Sequence, residues 1–259
     1  MSHPTPAFSD EFEKRAPAEA KAWLQDVLKD LGQTFHQRRF YYAFSGSSRH
    51  VPRECDELAR SLLLLLLSEQ PRLVYQEALE ALLGAADLRE AAAIYRTFPY
   101  LPDPEFLVPL ARDGLRTNIT SVFDALAHDN PFPADHFDEE GWNQMVLKCF
   151  FTDRPTHPIL GIDERANESL ALALSNYAHE RWAAGRPVRP DLWRCCRRFL
   201  TDDLLEDLRK AAEDEASRDA VALTIAGLTD DRLDTLKESL KENLKRVTQG
   251  KLSWKTIAE

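Results

Sequence analysis

A chain of 259 residues with 44% apolar residues can bury a sizeable core, in one large or two modest domains. Its 43 acidic residues outnumber its 33 basic ones, leaving a net charge of -10, and no stretch gathers enough Lys and Arg to track phosphates, so nucleic acid is not an expected partner. The longest apolar run, Leu62 to Leu67, falls far short of the ~20 residues a bilayer requires and excludes a membrane-spanning role for it.

From the N-terminus, MSHPTPAFSDEFEKR has no basic region followed by an apolar one, so the expected location is cytoplasmic. Apolar spacing is helical almost throughout and predicts helices over 8–31, 34–44, 53–69, 72–83, 87–97, 104–113, 119–128, 138–151, 168–184, 191–199, 202–226 and 230–248. The clearest stripe is Trp142, Met145, Val146, Cys149 and Phe150, at i, i+3, i+4, i+7 and i+8. No segment alternates as a half-buried strand does. Gly32, Gly84, Gly114, Gly185 and Gly250 fall where helical patterns stop, the place for a left-handed C-terminal residue. The expected fold is all-α, an irregular stack of helical hairpins resembling a HEAT-like solenoid, without a clean repeat period. We expect a single domain over 1–259, with 116–194 as its motif-bearing core. The charge-rich 201–259 is expected to be a C-terminal helical subregion lying at the periphery.

Cys55, Cys149, Cys195 and Cys196 lack CxxC spacing and read as reduced, buried thiols. Chemistry is more plausible between Arg116 and Arg194, where polar residues are mixed among apolar ones. Thr117 or Asn118 can cap the helix ending near His128, and Asn130 before Pro131 starts a turn that Phe132 and Phe137 staple to the core. Glu140, Gln144 and Lys148 lie on one helix face with Asn143 beside them. Such a strip is ordinarily solvated; alternatively Asn143, Gln144 and Lys148 hold an oxygen-rich small molecule, with Lys148 neutralising an anionic group. Asn167 reads as an N-cap, and Asp163 with Arg165 as a local ion pair or brace. Tyr177, Arg181 and Trp182 share a face with Leu174, Asn176 and His179 share another with Leu172, and both faces are expected to be covered. Arg181 is placed to donate to a buried carboxylate, with Asp163 as the candidate.

No metal or other cofactor is implied. His128, Asp129, His136 and His179 fit no ligand spacing, and the HERW tetrapeptide lacks a second His because position 183 is Ala. There is no GxSxG elbow, phosphate loop or GxGxxG turn, no Cys with a well-placed His, and Asp138, Glu139 and Glu140 read as helix-start charges.

The runs TNITSVFDALAHDNPFPADHF, WNQMVLKCFF and GIDERANESLALALSNYAHERWAAGRPVRPDLWR closely resemble the EboA family of metabolite traffic proteins, with weaker echoes in PEFLVPLARDGLRTN and GKLSWKTIA. The resemblance implies a bacterial protein encoded beside a prenyltransferase-like membrane protein, a TatD-like hydrolase, a sugar-phosphate cyclase-like protein and a sugar-isomerase-like barrel protein. It also implies secondary metabolism and the movement of precursors, and it brings no catalytic residues. Matched positions are Asn118, Asn130, Asn143, Gln144, Lys148, Asp163, Arg165, Asn167, His179, Arg181 and Trp182. Ser175-Asn176-Tyr177, where an acidic residue is expected before Tyr, and the vicinal Cys195 and Cys196 depart from the family pattern. The expected function is a non-enzymatic or accessory protein that binds a small metabolite precursor, partner enzymes of the same cluster, or both. The alternatives are an enzyme of unrecognised type, with Asp163, Lys148 or His179 as acid or base in one cavity, and a pure interaction scaffold.

Overall fold

Prolines and capping side chains divide the chain into its helices. The computed structural model describes residues 8–258; the first seven residues, part of the stretch read for a leader, lie outside them. The fold is all-α, with no strand among the described residues, and none of its helices is long and apolar enough to cross a membrane. The chain divides into two compact units, one ending at Phe137 and the other beginning at Asp138.

In the first unit, α1 (Phe8–Arg15) and α2 (Ala18–Gln33) replace the single helix expected over 8–31. Pro17 lies between them with extended backbone, because its ring and missing N–H do not fit a helix interior. Then come α3 (Gln37–Gly46), α4 (Arg53–Ser68), α5 (Arg72–Ala85) and α6 (Leu88–Thr97), the last opened by a reciprocal capping box between Asp87 and Glu90. The unit closes with α7 (Pro104–Gly114), α8 (Thr120–Ala127) and an unpredicted short α9 (Phe132–His136). Helix α6 packs against both α4 and α8, and the leucine run gives α4 its wholly buried Leu63, Leu64 and Leu67.

That apolar contact encloses an ion network. Arg60, 1% exposed, donates to Asp56 Oδ2 at 3.1 Å and to Glu90 Oε1 at 2.9 Å, with its guanidinium over the Phe44 ring. It ties α4 to α6, and its value depends on both carboxylates remaining paired.

The second unit contains α10 (Glu139–Phe151), capped by Asp138, and α11 (Glu168–Ala183), capped by Asn167. The predicted stripe Trp142, Met145, Val146, Cys149 and Phe150 is buried. Instead of an α-helix over 191–199, Pro190–Cys196 forms a 3-10 helix that packs against α11 and α13 (Arg218–Ile225), with α12 (Asp202–Ala211) preceding α13. The helix expected over 202–226 breaks where Asp214 accepts from the Ala216 amide and the Ser217 hydroxyl. The one expected over 230–248 becomes a 3-10 turn over Asp231–Leu233, α14 (Asp234–Ser239) and α15 (Lys241–Thr248), interrupted at Leu240. A final α16 (Trp254–Ala258) follows. The peripheral reading of this region fails for α13, whose Ala220, Val221, Ala222 and Ile225 are fully buried.

Among the glycines expected to be left-handed stops, Gly185 (φ 64°) and Gly250 (φ 67°) are so, whereas Gly32 and Gly84 lie inside α2 and α5 without positive φ. Gly114 serves close approach instead: a Cβ there would stand 2.4 Å from Tyr95 Cζ and 2.9 Å from Leu126 Cδ1.

Candidate ligand site

Most of the sequence-selected polar residues hold the protein to itself. Asn118 is exposed and does not cap α8, and Thr117 Oγ1 accepts from the Ile119 amide. Asn130 is buried: its Nδ2 donates to the carbonyls of Tyr95 (3.0 Å) and Ala125 (2.8 Å), and its Oδ1 accepts from the Phe132 amide (2.9 Å). In the second unit, Asn143 and Asn167 exchange reciprocal amide bonds of 3.1 and 2.8 Å between α10 and the start of α11. Asn167 Oδ1 also caps α11 through the Leu170 amide. Gln144 is exposed and donates to Glu140, while Lys148 is half-buried and burial lowers its pKa.

On α11, His179 Nε2 meets Asp207 Oδ1 at 2.5 Å, and Ser175 Oγ donates to Asp207 Oδ2 at 2.6 Å. Trp182 stacks on buried Trp193 with ring centroids 5.8 Å apart, and Lys210 Nζ lies 4.2 Å from the Trp182 ring centroid. The second face expected to be covered is open: Leu172, Asn176 and His179 are all exposed. The expected Arg181–Asp163 pair is absent. Arg181 Nε donates to the Pro187 carbonyl beyond the helix end, and Asp163 is taken by Arg194. The Asp163–Arg165 pair is not what holds Asp163 either, since Arg165 places its guanidinium 4.7 Å from the Trp142 ring centroid.

Asp163 does, however, line a cavity of about 250 Å³, together with Ala166, Arg194, Cys195, Arg197, Arg198 and Trp254. Arg194 forms a fork on Asp163, with Nε to Oδ1 at 2.7 Å and Nη2 to Oδ2 at 2.6 Å, and its guanidinium lies 5.6 Å from the Trp254 ring centroid. Its Nη1 has no acceptor among the described residues. Arg197 donates to the carbonyls of Leu223, Thr224 and Ala226, where the dipole of α13 leaves negative charge. Arg198 is exposed and makes no hydrogen bond or ion pair with any described residue. Burial raises the Cys195 thiol to about 12, so it stays protonated and unreactive at neutral pH. Three guanidiniums against one carboxylate leave the cavity electropositive. By contrast, the 420 Å³ cavity of the first unit sets Arg15, Arg53 and Arg96 against four carboxylates, with Arg15–Glu11 and Arg96–Glu57 already paired.

A family model described as metabolite traffic protein EboA matches residues 52–197, more than half of the chain. The chain belongs to the EboA family. No curated protein and no solved structure gives a significant match. The EboA match takes in Asp163, Ala166, Arg194, Cys195 and Arg197, and stops one residue before Arg198. Of the eleven sequence-selected positions in this EboA family member, only Asp163 lines the electropositive cavity; Arg181 lines another, of about 280 Å³, with Phe151 and Tyr177, and Asn130 lines the 420 Å³ cavity of the first unit. Reading the sequence missed Arg194, Arg197 and Arg198. The available signal was their i, i+3, i+4 spacing in RCCRR, in a region where 3-10 geometry brings i and i+3 side chains above one another. It also missed Arg189, which holds buried Asp191 through Nε (3.1 Å) and Nη2 (2.6 Å) and donates to the Arg154 carbonyl.

Proposed function

We propose that this EboA family member is a non-enzymatic, accessory cytoplasmic protein of secondary metabolism that binds a small metabolite precursor in the Asp163–Arg198 cavity of its second unit, alone or while handing it to partner enzymes. The observation that carries the reading is the unspent donor capacity in that cavity: Arg194 Nη1 and the whole Arg198 guanidinium have no acceptor among the described residues. Guanidiniums lining a concave space and left without protein acceptors suit an anionic ligand.

The arrangement favours binding over catalysis. Of Asp163, Lys148 and His179, weighed as acid or base, only Asp163 lines this cavity, and both its oxygens are held by Arg194. His179 is committed to Asp207, and the Cys195 thiol is held neutral by burial. The four cysteines are buried and form no disulfide among the described residues, which supports a reducing compartment.

Native mass spectrometry of the protein taken from producing cells tests this. A small-molecule adduct on the unaltered chain supports the reading. An adduct-free protein that instead retains other pathway proteins overturns it in favour of a scaffold.

A further inference from the structure

Resting on that reading, we infer the chemical class of the ligand: a single flat ring carrying an oxyanion, its ring against Trp254 and its anionic group on Arg198 and Arg194 Nη1. Size sets the first bound. At about 250 Å³ the cavity lies just below the roughly 300 Å³ at which sites for drug-sized molecules begin, which leaves room for one ring and its substituent.

Charge sets the second. In a chain of net charge -10, this cavity gathers Arg194, Arg197 and Arg198 against Asp163 alone. Asp163 neutralises Arg194 through two bonds, and Arg197 faces the carbonyl end of α13, so Arg198 carries the charge still available to a ligand. A guanidinium fork matches the two oxygens of a carboxylate or two of a phosphate, and Arg194 Nη1 adds two further donors. Half-buried Trp254 supplies a flat apolar wall already in contact with one of these cations. Neutral sugars would leave the Arg198 charge unanswered, and cations would meet repulsion.

Isothermal titration of the full chain with benzoate, phenyl phosphate, inorganic phosphate and benzyl alcohol, at millimolar ligand, tests the inference. Either ring anion, or both, should bind at least ten-fold more tightly than benzyl alcohol, and the preference between them identifies carboxylate or phosphate as the natural group. Arg198→Met is a surface change compatible with an unaltered fold, checked by circular dichroism. It should weaken the anions at least ten-fold without changing benzyl alcohol, and Arg198→Lys should restore only part of the loss. Trp254→Leu should weaken the ring probes and leave inorganic phosphate unchanged. Equal affinity for benzyl alcohol and the anions, no binding by either ring anion, or insensitivity to Arg198→Met overturns the inference. A native adduct that survives Arg198→Met would refute this ligand assignment while leaving metabolite binding in place, whereas absence of any native adduct removes the function itself.

Discussion

Replacing Asn130 by Ala separates a brace from a ligand residue. The side chain makes three hydrogen bonds, to the carbonyls of Tyr95 and Ala125 and from the amide of Phe132, and is only 4% exposed. At about 1 kcal/mol net for each bond, the variant should lose about 3 kcal/mol, because the Ala125 carbonyl and the Phe132 amide each lose this partner and the Tyr95 carbonyl keeps only the Phe98 amide. A water entering the vacated space would return part of this, so about 2 kcal/mol is the lower end of the expectation. Asn130→Asp should cost more than Ala, since it turns a carboxylate toward two carbonyl oxygens that now receive N–H donors. Urea unfolding gives the stability change, and hydrogen exchange at the Phe132 amide should accelerate as its acceptor disappears. A loss below about 1 kcal/mol with unaltered exchange would refute the brace. Loss of the native adduct at unchanged stability would make Asn130 a ligand residue after all.

Gly114→Ala pushes a Cβ to within 2.4 Å of Tyr95 Cζ and should cost about 1–3 kcal/mol; Tyr95→Leu in the same chain should recover part of it, and additive losses in the double-mutant cycle would exclude the clash. Arg60→Met leaves buried Glu90 without an ion pair and buried Asp56 with only Arg89 at 3.4 Å, and should cost about 3–5 kcal/mol in urea unfolding, a loss that Asp56→Asn with Glu90→Gln should largely reverse. Burial raises Cys195 to about 12 from its ordinary 9.0, so the native state binds this proton more tightly than the unfolded chain. The stabilisation is complete below pH 9 and is lost between about pH 9 and 12, so Cys195→Ala should lessen the fall in stability across that window, to which the likewise raised Cys196 still contributes, and the native thiol should resist alkylation at pH 8. Rapid native alkylation of Cys195 would contradict the burial argument.

The fold was legible wherever helix periodicity is a one-dimensional signal. Trp142, Met145, Val146, Cys149 and Phe150 announce the buried side of α10 because a single helix must turn one face inward. The readings that failed depended on three-dimensional competition. Pro17 breaks the first helix, but the other interruptions arise where Asp214 captures an amide and a hydroxyl and where Leu240 leaves the helical region. Those 202–248 stretches read as continuous because they hold no proline and their charged residues support solvent-facing helices; the break comes from local side-chain bonds and from α13 turning its alanines and Val221 into the core. Gly114 shows the same limit, since its position at a helix end suggests backbone conformation while its real constraint is the Tyr95 ring, nineteen residues earlier in sequence.

The site was less legible for a related physical reason. Asn, Asp, His and Arg mixed among apolar residues indicate inward-facing polar groups, but they do not reveal whether those groups answer one another or a ligand. In this chain they answer one another: Asn143 meets Asn167, His179 meets Asp207, and Asn130 spends three of its four hydrogen-bonding capacities on backbone. For these residues the burial cost is balanced inside the protein. Recognition requires donors left unspent, and in the Asp163–Arg198 cavity these are Arg194 Nη1 and Arg198, residues that in sequence look like ordinary surface charge. The useful criterion is therefore the difference between the donors a cavity presents and the acceptors the protein returns to it, a quantity that exists only once Asp163, RCCRR and Trp254 have been brought around the same space.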